Sequence, residues 1–152
     1  HVPDAFFVIC GSGTEYGKLQ TFVEAEKYSN FLLLSGLPRA DYDKLVRSCH
    51  VGLLFLDHRF TIPNFPSRLL SYLQAGLPVI ACTDPATDIG DIAQAGGFGW
   101  KCPSDDPAAF VRTVERACSA DLAAMGDAGR MYFSAHYTAE QSYEIIMRGL
   151  ER

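Results

Sequence analysis

Five short apolar runs recur along the chain, Phe6–Cys10, Phe31–Leu34, Val51–Leu56, Pro78–Cys82 and a weaker Phe98–Cys102, and in the first four the apolar residues are consecutive apart from Gly52. A strand with one wet face alternates apolar and polar residues. Consecutive apolar residues suit a strand covered on both faces, as in a parallel sheet lying between helices. Between the runs the period lengthens. Tyr42, Leu45, Val46 and Cys49 follow i, i+3, i+4, i+7, as do Tyr143, Ile146, Met147 and Leu150, and Phe110, Val111, Val114 and Cys118 come close to it. Two helices without a strand between them, roughly 121–133 and 138–151, close the chain. Gly36, Pro38, Gly76, Pro78, Gly96 and Gly97 punctuate the joints. The pattern predicts an open α/β fold, a parallel sheet of about five strands with helices on both faces.

The chain has 152 residues, enough to bury a core without disulfides or a structural metal, so residues 1–152 are read as one domain. Its five cysteines, Cys10, Cys49, Cys82, Cys102 and Cys118, are odd in number and widely spaced. They read as small buried hydrophobes in a reducing compartment, and the expected location is the cytoplasm. With 18 acidic and 13 basic residues dispersed along the chain, the net charge of −5 argues against a nucleic-acid partner. No apolar stretch approaches the roughly 20 residues of a membrane helix, and the start lacks a signal-peptide pattern.

Ligands of open parallel sheets sit beyond the carboxyl ends of the strands. That edge comprises Gly11-Ser12-Gly13, Ser35-Gly36-Leu37, Asp57 to Pro66 and Cys82-Thr83-Asp84-Pro85. Gly11 to Gly17 follows a strand and opens a helix, and reads either as a tight turn or as a backbone cradle for a phosphate. The spacing is wrong for a dinucleotide fingerprint, because Tyr16 stands where a third glycine is required. The most informative stretch is Thr61 to Ala81. Pro66 at the first helical position and Ser67 as cap mark a helix start, and Gly76 marks its end. Arg68 falls in the first turn, where the helix dipole disfavours a cation. An anion bound there would reverse that; the alternative is a solvated surface arginine.

Other constellations carry less. Asp57 reads as an edge-loop residue, since the acidic pair of a phospho-receiver is replaced by Gly11-Ser12-Gly13. His50, His58 and His136 lack ligand spacing, and no metal is expected. Thr83, Asp84, Thr87 and Asp88 read as a capping turn, with a sugar-hydroxyl contact from Asp84 or Asp88 as the alternative. No nucleophile elbow is present, and Phe110, Val111 and Val114 read as core.

Pro66-Ser67-Arg68-Leu69-Leu70-Ser71-Tyr72, followed by Ala75-Gly76-Leu77-Pro78-Val79-Ile80-Ala81, resembles the Pro-Ser-Lys-x-x-Glu-Tyr-x-Ala-x-Gly-x-Pro-Val-x-Ala signature of family 4 retaining glycosyltransferases, which have two Rossmann-like domains. Pro3 to Gly13 and Phe31 to Gly36 look like the second and third strands of that family's C-terminal, donor-nucleotide-binding domain. Tyr42 to Leu54 looks like the helix and strand before the signature, so the resemblance covers residues 3–118. Ile62 to Arg68 looks most like bacterial surface-polysaccharide enzymes. Two features depart from the family. Its Glu-x7-Glu pair would fall at Pro63 and Ser71, and its N-terminal domain and the first strand and helix of its C-terminal domain have no counterpart here.

The resemblance implies a fragment of an enzyme that moves a sugar from a nucleotide diphosphate, a UDP-sugar by preference, to a saccharide or lipid-linked saccharide acceptor, with no cofactor. The implied substrate-binding residues are Gly11, Gly13, Ser35, Gly36, Leu37, Asn64, Ser67, Arg68, Leu69 and Ser71. Arg68 and the amides of Ser67 and Leu69 would face the diphosphate, Ser35 to Leu37 the base, and Ser71 the ribose; no catalytic residue is assigned. The intact enzyme would work in the cytoplasm or at the inner face of the membrane. The isolated chain would bind nucleotide weakly and transfer nothing, and an open strand edge would make it self-associate or dissolve poorly. A reading from another class is a non-catalytic nucleotide-binding or regulatory α/β module.

Overall fold

All five apolar runs become strands, and every pairing between them is parallel. The structure, a computed structural model, describes residues 2, 4–60, 62 and 64–150. The chain divides into two compact units, 1–45 and 46–152. In the first, β1 (Phe7–Cys10) pairs with β2 (Phe31–Leu34), Phe7 opposite Phe31 and Cys10 opposite Leu34. They are joined through α1 (Tyr16–Glu26). The Asn30 side-chain amide donates to Ala5 O at 2.9 Å, pinning the entry to β2 against the entry to β1. The division falls within the next helix, α2 (Arg39–Ser48).

The second unit holds β3 (Gly52–Phe55), β4 (Val79–Thr83) and β5 (Gly99–Pro103) in that spatial order. Leu54 lies opposite Ala81, and Cys82 opposite Cys102. Its helices are α3 (Arg68–Ala75), α4 (Ile89–Ala95), α5 (Pro107–Cys118), α6 (Leu122–His136) and α7 (Ala139–Leu150). Leu54, Leu69, Leu73, Val79, Ile89 and Phe98 form the buried core. Among the described residues the strands thus belong to a two-stranded and a three-stranded sheet, with β2 the hydrogen-bonded neighbour of β1 and β4 that of β3. The architecture is α/β with parallel strands flanked by helices, in keeping with a Rossmann-like domain.

Burial separates strands that looked alike in sequence. All five residues of β4, paired on both sides, are enclosed. β3 is enclosed only at alternate positions, and Ile9 of β1 and Leu32 of β2 are exposed. The cysteines divide the same way: Cys82 and Cys102 are buried, Cys10 and Cys49 half-buried and Cys118 exposed, so the expectation of buried thiols holds for two of them. Burial pushes the Cys82 thiol upward, and its neighbour Cys102 adds to the shift; burial likewise raises Cys49. Both are held as thiols rather than as reactive thiolates. The buried face of α5 is Thr113, Val114 and Ala117; Phe110 and Val111 are only half-buried, and Phe110 meets Phe55 edge-on at 5.1 Å. In α7 the apolar stripe exists, but Tyr143, Ile146 and Leu150 are all exposed, so helical spacing there did not signal burial. Among the described residues no helix is long and apolar enough to cross a membrane.

α3 ends as its sequence demands. Gly76 adopts φ 72°, ψ 34°, a left-handed conformation that costs glycine little and other residues more. Leu77 then donates its N–H back to Tyr72 O at 2.9 Å, closing the helix end. Its start departs from expectation. The helix opens at Arg68, two residues after Pro66, and Ser67 is itself helical at φ −55°, ψ −22° with no side-chain capping bond. A serine caps when extended backbone lets its hydroxyl reach an amide two or three residues on. Here a tight 3₁₀ turn does that work instead, with Leu69 N–H donating to Pro66 O at 2.9 Å and Leu70 N–H to Ser67 O at 3.1 Å.

Candidate functional site

In the first unit the Gly11 N–H donates to Leu34 O at 3.0 Å. That bond brings Gly11 to Gly13 and Ser35 to Leu37 together at the carboxyl end of β1 and β2. All of these residues are exposed. Gly36, at φ 140°, requires glycine, whereas Gly11 and Gly13 have ordinary backbone angles and open space where a Cβ would be. Tyr16 N–H donates to Gly13 O at 3.1 Å, so the glycine segment forms a turn into α1.

In the second unit the carboxyl ends of β3 and β5 carry a cleft of about 290 Å³ lined by Phe55, Leu56, Asp57, His58 and Ser104. The Asp57 carboxylate is held by Arg59 through its guanidinium and its backbone N–H. These bonds keep its pKa well below the usual carboxylate range, so it is an edge-loop anion already matched by a cation. Beside the cleft, Thr83 Oγ1 and Ser104 Oγ are buried without a hydrogen-bond partner among the described residues. Buried hydroxyls are normally satisfied, which makes this strand end polar and underused.

Asp84 is enclosed and fully engaged. Oδ1 accepts from Ala86 N–H at 2.8 Å and Thr87 N–H at 3.0 Å, and Oδ2 from the Thr87 hydroxyl at 2.6 Å. The Thr87 hydroxyl is the largest influence lowering its pKa, followed by the backbone amides against the opposing effect of desolvation. All of these bonds lie within a turn ahead of α4, which opens at Ile89, so Asp84 closes an Asx-type turn rather than capping the helix as the sequence suggested. Because the folded pKa lies below the unfolded one, this contribution is present above the unfolded carboxylate value, about 3.9, and is lost as pH falls through the folded value. Melting curves between pH 6 and 2 should therefore show wild type losing stability in acid more steeply than Asp84→Asn. Asp88 stands at the start of α4 and makes no side-chain cap bond.

The start of α3 gathers most of the remaining candidates. Ser67, Arg68 and Ser71 share one helix face by their spacing; Ser67 and Arg68 are exposed, while Ser71 and Asn64 are half-buried. Arg68 has no hydrogen-bond or ion-pair partner among the described residues, and neither the Ser67 nor the Arg68 N–H has an acceptor there. Leu69 must be corrected. Its side chain is fully buried and its amide is taken by Pro66 O, so it offers nothing to an anion and belongs to the core. Pro63 lies outside the described residues. Among them no group of three or more His, Cys, Asp or Glu side chains could hold a metal.

One group escaped the sequence reading. Phe65 packs edge-on against Tyr137 at 5.3 Å, Tyr137 lies 5.8 Å from Tyr132, and Tyr132 lies 5.0 Å from the fully buried Phe98. His136 lies tilted against Tyr132, with ring centroids 4.2 Å apart. Burial, then the neighbouring Tyr132 and Asp88, raise the Tyr137 pKa. The available signal was the aromatic spacing Tyr132, His136 and Tyr137, placed at the end of a helix.

In each unit the parallel strands lead into exposed loops at their carboxyl ends, the edge at which open α/β sheets generally take their ligands. Residues 1–130 match the family model described as Glycosyl transferases group 1, and the chain belongs to this family. It is similar to a probable glycosyltransferase, WbjE, of Pseudomonas aeruginosa, with 25% identity over 140 residues, 92% of this chain and 35% of that protein. The chain therefore spans about a third of the length of the curated relative it matches.

Proposed function

We propose that the chain is the donor-nucleotide-binding part of a two-domain retaining glycosyltransferase of family 4, whose intact form transfers a sugar from a nucleotide diphosphate to a saccharide or lipid-linked saccharide acceptor. The observation that carries this reading is the start of α3, where an exposed, unpartnered Arg68 stands beside two N–H groups without acceptors among the described residues. A departing nucleoside diphosphate gains negative charge as the glycosidic bond to it breaks. A guanidinium and helix-end amides already fixed in place stabilise that charge without reorganising. Membership of the glycosyltransferase group 1 family supports the reaction class. The resemblance of Ile62 to Arg68 to surface-polysaccharide enzymes supports that pathway, in the cytoplasm or at the inner membrane face, and a UDP-sugar as donor.

The departures narrow what the chain itself offers. With serine at 71, the ribose would meet one neutral hydroxyl in place of a carboxylate. Thermal unfolding against a panel of UDP-, GDP- and ADP-sugars tests the proposal. A rise in melting temperature that is largest with UDP-sugars is the expected result; no rise with any of them at millimolar concentration overturns the donor-site reading.

A further inference from the structure

Four aromatic rings form a continuous path from the interior of the second unit to the segment before α3. Phe98, fully buried against the sheet, is followed by Tyr132, Tyr137 and finally Phe65, with successive centroids 5.0, 5.8 and 5.3 Å apart. The two ends differ in character. Phe98 is enclosed by the core, whereas Phe65 is 46% exposed and lies directly between Asn64 and the buried Pro66, whose carbonyl accepts the first-turn bond of α3. Tyr137 is the link. It terminates α6, with φ −128°, ψ 19° and its N–H donated to Phe133 O at 2.8 Å, so its backbone is fixed by the helix while its ring meets Phe65 at 62°.

We propose that Tyr137 is a positioning residue: by its edge-on contact with Phe65 it sets where Asn64, Ser67 and Arg68 stand at the strand ends, and so governs nucleoside diphosphate affinity without touching the nucleotide. The proposal rests on the donor-site reading above and adds to it a residue some 70 positions further along the chain. Among the described residues Tyr137 is the ring that Phe65 meets; removing it frees a half-exposed phenylalanine to swing, and the 3₁₀ turn built on Pro66 O then loosens with it. Edge-to-face ring pairs are worth between about twofold and tenfold in an equilibrium constant, which sets the size of the effect.

The test uses Tyr137→Leu, Tyr137→Phe, Phe65→Leu and the double variant Phe65→Leu/Tyr137→Leu. Two quantities are read: amide hydrogen exchange at Leu69 and Leu70, and UDP affinity by calorimetry, with GDP and ADP as further arms. Tyr137→Leu is expected to speed Leu69 exchange and weaken UDP binding, each by about twofold to tenfold. Tyr137→Phe, which keeps the ring, should restore both. Phe65→Leu alters a half-exposed side chain and so keeps the fold; it should match Tyr137→Leu, and the double variant should be no worse than either single one, because both remove the same contact. A lowered melting temperature with unchanged Leu69 exchange and unchanged UDP affinity makes Tyr137 a core residue only and overturns the proposal. Additive losses in the double variant overturn it equally. If wild type binds none of the three nucleotides, the donor-site reading falls and with it the role in affinity, while the exchange data still decide whether Tyr137 holds the segment.

Discussion

Gly126→Ala is expected to lower the stability of the second unit by about 3 kcal/mol, the upper end for overpacking a well-filled site, with loss of roughly 6–12 °C in melting temperature for a chain this size. A Cβ at Gly126 would lie 2.1 Å from the Gly76 carbonyl oxygen and 3.0 Å from its carbon. Backbone cannot swing aside as a long side chain can. Gly76 is held in the left-handed cap of α3, with its N–H and that of Leu77 both bonded back into the helix. α6 would therefore have to lift away from α3, parting Gly129 from Leu73 and Phe98, whose atoms would lie 3.0 and 3.3 Å from a Cβ at 129. Gly17→Ala in α1, where a Cβ meets nothing within 4 Å, is the control and should be neutral or slightly stabilising. Equal melting temperatures for Gly126→Ala and wild type by calorimetry would show that α6 does not pack this closely.

That contact also marks the limit of what the sequence reveals. Four of the strands were legible because their apolar residues are nearly consecutive, and Gly76 because a left-handed helix end favours glycine. Gly126 and Gly129 were not: within a helix, a glycine that permits close approach looks the same as one that merely weakens the helix, and only the partner backbone distinguishes them. The same holds for burial. β1 and β4 read alike, yet β4 is paired on both sides and wholly enclosed while β1 is partly exposed. The amphipathic stripe of α7 predicts a helix correctly and a buried face incorrectly, since periodicity states which residues share a side and not whether anything covers it. At the candidate site, Arg68 was found by its charge at a helix start. The loss of the Leu69 amide to Pro66 O followed from a 3₁₀ turn that residue types alone do not specify. The ring path from Phe98 to Phe65 joins residues 33 positions apart through a helix end, and only its middle, the spacing of Tyr132, His136 and Tyr137, shows locally.

Arg68→Ala is expected to weaken UDP binding by about tenfold or more, and Ser71→Ala by less. The two residues lie one turn apart on the same face of α3, so the comparison tests what each group contributes rather than where the helix sits. A guanidinium facing a diphosphate makes charge-assisted bonds, can engage two oxygens at once, and has nothing to surrender first, because Arg68 has no partner among the described residues. Hydrogen bonds to charged groups are worth roughly 1.5–3 kcal/mol, and 1.4 kcal/mol is a factor of ten in affinity. The Ser71 hydroxyl offers one neutral bond, worth about 0.5–1.5 kcal/mol net. Charge also gives the two contacts different salt dependence. Raising ionic strength from about 0.05 to 0.5 M screens an exposed guanidinium–phosphate contact, so the gap between wild type and Arg68→Ala should narrow while that between wild type and Ser71→Ala stays constant. Calorimetry with UDP on the intact enzyme reads both. A larger loss for Ser71→Ala than for Arg68→Ala, or a gap for Arg68→Ala that ignores salt, would move the diphosphate away from the start of α3.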